Sequence, residues 1–600
     1  MHRHHTRVFC LSLLAAAVLA GCHSSPSMRE QAQAAATTGD VLAEAAPAKT
    51  QPPLPATPPA PPPPPAPAVA ASKTLDRIVV TGTQRSQANV AGNMVVRLRP
   101  SEQAYSLDQY AFYSEKAAVP NTEKYESRTD NPVHRTSEQP VSTFSVDVDT
   151  GSYSNIRRML RDGQRPPADA VRAEEFINYF RYGHVAPVDR SVPFRVTTEL
   201  APAPWDSRRQ LLMVGIKGYD VPKSTLPPAN LVFLVDTSGS MNSPDKLPLV
   251  KDALRQLVPQ LRAQDRVSIV VYAGSAGLVL PPTPGDRHED IIGALDRLQA
   301  GGSTNGGEGI QLAYAMAKQA FVKNGVNRVI LATDGDFNVG TVNQNALETL
   351  VGDQRKSGVA LTTLGFGTGN YNDAMAERLA DVGDGNHAYI DTPQEARKVL
   401  ADEMQATLLT IARDVKIQIE FNPAQVSEYR LIGYENRLLN REDFANDKVD
   451  AGDIGAGHEV TALYEITPAG SGADRLPPLR YGSERLATAA TSGEVAQLSL
   501  RYKLPGAQSS KLIDTRILRS SLSTHPSEAL RFASAVAAYA DLLRGGTHVG
   551  SWSWNDVAAA ARSAQGSDPN GLRHEFVELV EQGRRVVAAD GNAPKIAAGE

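Results

Sequence analysis

Three oxygen-bearing side chains follow directly on an apolar run near the middle of the chain. In "NLVFLVDTSGSM", residues 230–241, the apolar run 231–235 leads into Asp236, Ser238 and Ser240 at alternate positions. One interpretation is that these residues cap a helix, because Asp and Ser are both good N-cap residues. The other is a metal site, because carboxylate and hydroxyl oxygens are the hard ligands that Mg²⁺, Mn²⁺ and Ca²⁺ take in proteins.

Two further loops carry residues of the same kind. Asp334 follows the apolar run "RVILAT", and Thr304 lies in "GGSTNGGEGI", just before a predicted helix. Between residues 229 and 408, runs rich in Val, Ile and Leu alternate with amphipathic helical patterns, which predicts a mainly parallel sheet covered by helices on both faces. Ligands bind at the carboxyl ends of the strands in such sheets. We therefore expect the three loops to carry one site.

The three loops resemble the metal-ion-dependent adhesion site of von Willebrand factor type A domains. The family pattern is Asp-x-Ser-x-Ser, a distant Thr, and then Asp-Gly after a buried strand. All of its positions match here, at Asp236, Ser238, Ser240, Thr304 and Asp334. The resemblance implies a bound Mg²⁺, or alternatively Mn²⁺ or Ca²⁺, with one coordination position left open. In the family that position takes an Asp or Glu carboxylate from a protein partner, so the same is expected here.

The segments on either side of this region carry a second resemblance. "PVSTFSVDVDTGSYSNIRRML" and "NDKVDAGDIGAGHEVTALYEI" are similar to the flanking segments of bacterial envelope lipoproteins with a central von Willebrand factor type A domain and a C-terminal domain of unknown function. Alternating patterns after residue 408 predict antiparallel strands, which we expect to form a sandwich with strands before residue 229. The end of the chain predicts amphipathic helices. The predicted fold class is α/β: a doubly wound, Rossmann-like sheet inserted in a flanking antiparallel β-sandwich, with C-terminal helices.

The N-terminus predicts export and a lipid anchor. "MHRHHTRVFCLSLLAAAVLAGC" combines a basic start with a short apolar stretch, which is typical of a secretory signal. It ends in Leu19-Ala20-Gly21-Cys22, which resembles the lipobox of bacterial lipoproteins and implies cleavage before Cys22 and lipid attachment to its sulfur. His23 stands where inner-membrane retention signals usually carry Asp, so the resemblance favours the outer membrane. A plain signal peptide with a chance cysteine is the alternative.

A proline- and alanine-rich tether follows, which we expect to stay extended as polyproline II and to act as a spacer. "LDRIVVTGTQR" resembles the opening of the plug domain of TonB-dependent receptors, with an ordinary short strand and turn as the alternative. The predicted organisation is a signal peptide over 1–21, the tether over 22–74, a poorly ordered segment over 75–129, an N-terminal flanking domain over 130–228, the von Willebrand factor type A domain over 229–408, and a C-terminal strand and helix domain over 409–600.

Composition and motifs argue against catalysis and against nucleic-acid binding. The formal net charge is −5, and no basic stripe is present to attract a nucleic acid. Cys10 and Cys22 are the only cysteines, so the folded part has no thiol nucleophile or zinc thiolate site. No phosphate-binding glycine loop ending in Lys occurs, and the matched serines have no histidine in the pattern to activate them. The glycine-rich "GFGTG" fits a turn beside the metal site.

Two function classes follow from these observations. The first, which we favour, is a lipid-anchored envelope protein that uses a bound cation to hold a carboxylate on a protein partner and is not an enzyme. The alternative is a metal-dependent envelope hydrolase or maturation factor whose chemistry lies in the C-terminal domain. A pocket there with buried carboxylates or histidines of shifted pKa would favour the alternative.

Overall fold

The computed structural model of this 600-residue chain describes residues 122–146, 149–303, 305–335, 344–477 and 493–591. The predicted signal peptide, the tether and the plug-like stretch lie outside these residues. Within the described part of the chain, no helix is both long and apolar enough to cross a membrane.

The strands of the described residues fall into three sheets. In chain order they are β1 (His134–Arg135), β2 (Val141–Ser145), β3 (Phe194–Ala203), β4 (Asp206–Gly218), β5 (Ala229–Asp236), β6 (Arg266–Tyr272), β7 (Ala276–Pro284), β8 (Val326–Thr333), β9 (Ala360–Phe366), β10 (His387–Ile390), β11 (Thr410–Phe421), β12 (Val426–Ile432), β13 (Ile454–Gly455), β14 (Glu459–Pro468), β15 (Glu494–Lys503) and β16 (Lys511–Leu518).

The α-helices cover the central sheet and build a separate helical layer. In chain order they are α1 (Gly151–Arg161), α2 (Ala173–Asn178), α3 (Leu247–Leu257), α4 (His288–Asp296), α5 (Gly306–Gln319), α6 (Gln344–Lys356), α7 (Asp373–Val382), α8 (Pro393–Arg397), α9 (Met404–Leu408), α10 (Glu528–Arg544), α11 (Trp554–Ser563) and α12 (Leu572–Gly591). A short 3₁₀ turn, Gly239–Asn242, follows β5.

The central sheet has the strand order β10-β9-β8-β5-β6-β7, and only β7 runs antiparallel to its neighbour. Side chains of β5 alternate between its two faces, as the pleat of a strand requires. Leu231, Phe233 and Val235 pack in the core with α3, α4, α8 and α9. Val232 and Leu234 pack in the opposite core with α5, α6 and α7. The predicted doubly wound, mainly parallel sheet is therefore confirmed.

Two antiparallel sheets flank this domain, with strands drawn from both sides of it in the sequence. One has the order β1-β12-β14-β4-β3, and the other β13-β11-β15-β16 with β2 paired to β11. They share one core, to which Phe144, Leu212, Ile417 and Leu500 belong, so the predicted sandwich is confirmed.

The prediction for the strand around β2 was wrong in one respect. Phe144 alternates with the polar Thr143 and Ser145, a pattern that predicts a half-buried strand, but all five residues of β2 are buried. β2 is enclosed between β11 and the segment after β12, where the backbone N–H groups of Ser145 and Leu439 donate to the carbonyl oxygens of Arg437 and Thr143. Polar side chains on a buried strand are tolerated here because they form hydrogen bonds, as the Ser142 hydroxyl does with Tyr464 at 2.9 Å.

The start of the described chain also differs from the sequence prediction. Residues 122–129 belong to a segment predicted to be poorly ordered, yet they form regular backbone contacts with the central domain. Thr122 N–H donates to the Gly369 carbonyl at 2.8 Å, and Lys124 N–H donates to the Tyr371 carbonyl at 3.0 Å. This short stretch therefore adds a parallel bridge beside the loop that follows β9.

Helices from the two ends of the described chain form one layer. α1 and α2 share an aromatic core with α10, α11 and α12, in which Tyr153, Phe180, Phe532, Tyr539 and Phe576 are all nearly fully buried. Neighbouring rings in this core meet edge to face, for example Phe180 and Phe532 at 5.0 Å between centroids. The sequence predicted the C-terminal helices, but their packing against α1 and α2 depends on contacts between residues several hundred positions apart.

A buried arginine on α1 ties this layer to the central domain. The Arg157 side chain is 2% exposed, and its guanidinium donates to Asp391 at 2.8 Å and to Glu395 at 2.7 Å. It also donates to the Tyr179 hydroxyl at 2.8 Å and to Glu575 on α12 at 3.0 Å. Because one cation donates to carboxylates from the central domain and from α12, its loss would leave the buried Asp391 and Glu395 with Arg161 and Lys398 as more distant cations, each at 3.9 Å.

We predict that Arg157→Met lowers the free energy of unfolding by about 3–5 kcal/mol, the usual cost of breaking a buried ion pair from one side. Arg255→Met is the matched control, because that side chain is 37% exposed and pairs with exposed carboxylates of Asp252 and Asp296. The control should change stability by less than about 1 kcal/mol. Chemical denaturation of the three proteins measures both values, and similar losses in the two variants would contradict the role of Arg157.

Candidate metal centre

The register of the central sheet brings two carboxylates together. Asp236 is the last residue of β5, and Asp334 directly follows β8. β5 and β8 are parallel neighbours in which Val235 pairs with Ala332, so both chains end at the same edge of the sheet. Asp236 lies on the other side opposite Tyr272, the last residue of β6. The predicted position of the two carboxylates at adjoining strand ends is therefore what the structure shows.

The loop that carries Thr304 lies against the loop after β5. Thr304 itself is outside the described residues. Just before Thr304, the Gly301 N–H donates to the Thr237 carbonyl at 2.8 Å. The Gly302 carbonyl accepts from the Gly239 N–H at 3.0 Å. The structure therefore brings the third predicted loop to the same edge, without describing the threonine side chain.

Hydrogen bonds connect the other predicted site residues in sequence. The backbone N–H of Ser238 donates to Oδ1 of Asp236 at 2.8 Å. The hydroxyl oxygens of Ser238 and Ser240 are 3.0 Å apart. The Ser240 side chain in turn forms a hydrogen bond with Asp334. A continuous series of hydrogen bonds therefore connects the carboxylate of Asp236 with that of Asp334.

One carboxylate oxygen in this chain has no ordinary partner. Asp236 is 0% exposed, and its buried Oδ2 accepts no hydrogen bond of normal geometry among the described residues. Burial raises the pKa of Asp236 to about 6, with a further contribution from the charge of Asp334, although hydrogen bonding by Ser238 and Tyr272 opposes the shift. Leaving a buried carboxylate unsatisfied is costly unless a cation approaches it. The residues therefore fit a divalent cation bound by hard oxygen ligands.

The second carboxylate is already paired within the protein. Oδ2 of Asp334 accepts from Nζ of Lys246 at 2.9 Å, and the same ammonium donates to Oδ1 of Asn370 at 3.0 Å. Burial alone would raise the pKa of Asp334. Hydrogen bonds from Ser240 and Lys246, together with the charge of Lys246, instead hold this pKa below its ordinary value. The two carboxylates therefore differ: Asp334 is satisfied by an internal cation, and Asp236 is not.

Both the central domain and most of the chain are similar to known protein families. Residues 230–422 match the family described as von Willebrand factor type A domain, residues 119–213 match the family von Willebrand factor, and residues 406–586 match the family Uncharacterized protein YfbK, C-terminal. Uncharacterized protein YfbK of Escherichia coli is 49% identical over 471 residues, which cover 77% of this chain and 81% of that protein. The chain belongs to the YfbK family.

Other similarities are confined to parts of the chain or to remote structures. Uncharacterized protein sll0103 of Synechocystis is 31% identical over 198 residues, which cover 33% of this chain and 45% of that protein. The solved von Willebrand factor type A structure from Catenulispora acidiphila is 15% identical, with a TM-score of 0.37, over 67% of this chain and 91% of that one. The ArnB paralog VWA2 from Sulfolobus acidocaldarius is 16% identical, with a TM-score of 0.33, over 66% and 98%.

Most of the described site residues of this YfbK-family chain are buried. Asp236 and Asp334 are fully buried, and Ser238 is 2% exposed. Ser240, in the 3₁₀ turn, is exposed, and so are residues 301–303 of the neighbouring loop. Ser240 and this loop therefore lie at an exposed edge of the described part of the site.

The donor set is poor in charge for a metal site. Among the described residues, no group of three or more His, Cys, Asp or Glu side chains is arranged to hold a metal ion. A cation at the candidate centre would therefore depend on two carboxylates and on hydroxyl oxygens, with the remaining positions filled from solvent or from a partner.

Sequence reasoning missed the two residues that hold Asp334 in place. Lys246 and Asn370 are far apart in the sequence, and neither belongs to the matched pattern. One signal was present, because Asn370 directly follows the glycine-rich stretch that was interpreted as a turn beside the site. That turn does lie there: a Cβ on Gly367 would be 2.3 Å from Cγ of Lys246, so only glycine leaves room for the lysine stem.

A second feature lies away from this centre, between the central sheet and the antiparallel sheets. A cavity of about 230 Å³ is lined by polar residues that include Arg328, Asp384 and Asp453. Burial and the neighbouring charge of Asp384 raise the pKa of Asp453 to about 7, although Arg413 opposes the shift. Arg328 is 4% exposed and donates to the Thr362 hydroxyl at 2.6 Å. A pocket with a shifted carboxyl near the C-terminal domain was the observation expected to favour a hydrolase.

Proposed function

We propose that this protein binds an acidic protein partner through a divalent cation, Mg²⁺ or alternatively Mn²⁺ or Ca²⁺, held by Asp236, Ser238, Ser240, Thr304 and Asp334. The observation that carries the proposal is the buried carboxylate of Asp236: its Oδ2 accepts no hydrogen bond of normal geometry among the described residues, while its Oδ1 accepts from the Ser238 backbone N–H at 2.8 Å. The von Willebrand factor type A domain supports a role in protein–protein interaction. The cation and the acidic partner are the further steps of the proposal.

The charge of the site supports an external carboxylate as the partner group. Asp236 and Asp334 supply two negative charges, and Lys246 offsets one of them. A bound divalent cation would supply an electrophilic position that an Asp or Glu of the partner can occupy. The exposed Ser240 marks the side from which that carboxylate would enter. The protein's own residues would fix the orientation of this contact, because Asp236, Ser238 and Asp334 are held in buried positions.

Catalysis is not part of this proposal. A metal that activates water needs a general base within hydrogen-bond reach of that water. Near the candidate centre, Asp334 is held in an ion pair with Lys246, and the described neighbours Asn370, Ser238 and Ser240 are poor bases at neutral pH. We therefore propose that the bound partner is released unchanged.

The proposal predicts that partner binding depends on the cation and on both carboxylates. Full-length protein used as bait on envelope membranes should retain its partner in Mg²⁺ and lose it in excess EDTA. Asp236→Ala and Asp334→Ala should each lose it in Mg²⁺, because each removes a carboxylate from the candidate centre. Asp252→Ala is the control, since that carboxylate is 57% exposed on α3 and pairs with Arg255, and it should bind like the wild type.

A partner that stays bound in excess EDTA would contradict the proposal, because the cation would then be merely structural or absent. On the identified partner, replacement of one exposed Asp or Glu should weaken binding as much as removal of the metal does. If no single acidic residue has that effect, the cation does not bridge to a carboxylate.

The cavity around Asp453 favours a second candidate, a hydrolase or maturation factor. The carboxylate of Asp453 lies 3.6 Å from the guanidinium of Arg413. The Asp453 side chain is 24% exposed, so it can exchange a proton with solvent. The same binding experiment separates the two candidates. A partner that is recovered shortened or chemically altered after incubation in Mg²⁺ would favour the hydrolase, whereas an unaltered partner supports the binding function.

We also propose that the protein is anchored in the outer membrane of the cell envelope through lipid on Cys22. The support is the sequence alone: the lipobox-like Leu19-Ala20-Gly21-Cys22 and the proline-rich stretch that follows. Two or more acyl chains anchor a protein stably, whereas one chain binds only marginally. The tether would then hold the folded part away from the membrane surface.

Cys22→Ala should release the protein from the outer-membrane fraction or leave its signal uncleaved, because the acceptor sulfur is missing. Incorporation of labelled fatty acid, measured together with fractionation, checks this outcome. Cys10→Ala keeps the lipobox-like residues and should behave like the wild type. The lipoprotein proposal is wrong if the Cys22→Ala protein still carries fatty acid in the outer membrane.

A further inference from the structure

Lys246 is an unusual lysine because its ammonium is buried beside the candidate metal centre. Its side chain is 7% exposed, and Nζ lies 2.9 Å from Oδ2 of the fully buried Asp334. A second contact at 3.0 Å, to Oδ1 of Asn370, fixes the ammonium from the other side. Lysine is rarely buried without such partners, because taking an ammonium out of water is costly.

The backbone around Lys246 is built to hold this position. Lys246 immediately precedes α3, and its carbonyl accepts from Val250 N–H at 2.9 Å, so the helix fixes where the side chain starts. The lysine stem then crosses Gly367, which has a positive φ of 77°. A Cβ at Gly367 would lie within 2.8 Å of Cγ, Cδ and Cε of the lysine, so a larger residue there would displace the stem. The ammonium is therefore directed into the site.

This placement changes the charge that a divalent cation would meet. Asp236 and Asp334 together offer two negative charges, and a divalent cation would balance them fully. With Lys246 in place, the same cation would leave a net positive charge in a buried site. Like charges a few ångströms apart repel strongly where water is excluded. An additional carboxylate from outside would restore the balance.

We propose that Lys246 is an internal competitor of the divalent cation, which keeps metal affinity low until an external carboxylate arrives. This inference rests on the cation site proposed above. In the metal-free protein the Lys246 ammonium pairs with Asp334, so the centre stays folded without a bound metal. Metal and carboxylate then bind with positive coupling, because each offsets the charge that opposes the other, and such coupling is reciprocal.

A purely structural salt bridge gives different expectations. If Lys246 only stabilised the fold, its removal would lower stability and leave metal affinity unchanged or weaker, since the site would lose order. If Lys246 opposes the cation, its removal strengthens metal binding even though the metal-free fold is weakened. The direction of the change in affinity therefore separates the two roles.

The test is a calorimetric titration of the full-length metal-free protein with Mn²⁺. Lys246→Met should lower the dissociation constant by about tenfold or more, because a buried positive charge next to the cation is removed. Lys251→Met is the matched control: this lysine lies on α3, which Lys246 precedes, and donates to the carbonyl oxygens of Asp296 and Leu298 rather than to a site carboxylate. The control should bind Mn²⁺ like the wild type. Equal or weaker binding by Lys246→Met overturns the inference.

The coupling to a carboxylate is measured in the same titration with acetate as the probe. Acetate should strengthen Mn²⁺ binding by the wild type and should do so much less in Lys246→Met, in which the opposing charge is gone. Equal effects of acetate in the two proteins would contradict the coupling. Asp236→Ala corrects for Mn²⁺ bound elsewhere on the chain.

Two further measurements cover other outcomes. If Lys246→Met does not fold, Asn370→Ala takes its place, because it removes one of the two acceptors of the ammonium and should raise Mn²⁺ affinity, though by less; no rise overturns the inference. If wild type, Lys246→Met and Asp236→Ala all fail to bind Mn²⁺, the proposed cation site itself is wrong. Binding by the wild type that Lys246→Met does not improve rejects only the role of Lys246.

Discussion

The parallel pairing of β5 with β8 is the constraint on which the candidate centre depends. It places Asp236 and Asp334 at adjoining strand ends, in a position where both side chains are fully buried. Two buried carboxylates at neighbouring strand ends repel each other, which raises the free energy of the folded state. The protein reduces this repulsion with Lys246 on Asp334 and leaves Oδ2 of Asp236 without an ordinary partner. This asymmetry is the basis of the proposal that the centre takes up a further cation.

The flanking parts of the chain support the loop that completes this arrangement. Residues 367–372 carry Asn370, and the N-terminal stretch 122–125 bridges to them through backbone hydrogen bonds. Glu123 accepts from the Gly369 N–H at 3.0 Å and from Arg158 of α1 at 3.0 Å, which connects this loop to the helical layer. The central domain is therefore not an independent module, because the loop that carries Asn370 is held by segments that lie outside the domain in the sequence.

The sequence was sufficient for features that depend on local pattern. Alternation of apolar runs and helical patterns predicted the central sheet, and the residues that follow two of the apolar runs predicted that Asp236 and Asp334 lie at strand ends on one edge of the sheet. It was insufficient where a side chain meets a partner that is distant in the chain. The contact of Lys246 with Asp334 and the burial of Arg157 among three carboxylates depend on tertiary packing, which leaves no periodic signal. The burial of β2 was missed for the same reason, since its cover comes from the segment after β12.

The most direct test of this account is the position of bound Mn²⁺ in crystals of the wild-type protein, located by anomalous diffraction. The account predicts a peak at the edge of the central sheet, beside Oδ2 of Asp236 and the hydroxyl oxygens of Ser238 and Ser240. The same peak should be missing from crystals of Asp236→Ala grown and soaked in the same way. Mn²⁺ bound only at other places in the wild type, or a peak that persists in Asp236→Ala, would contradict the claim that Oδ2 of Asp236 is kept for a cation.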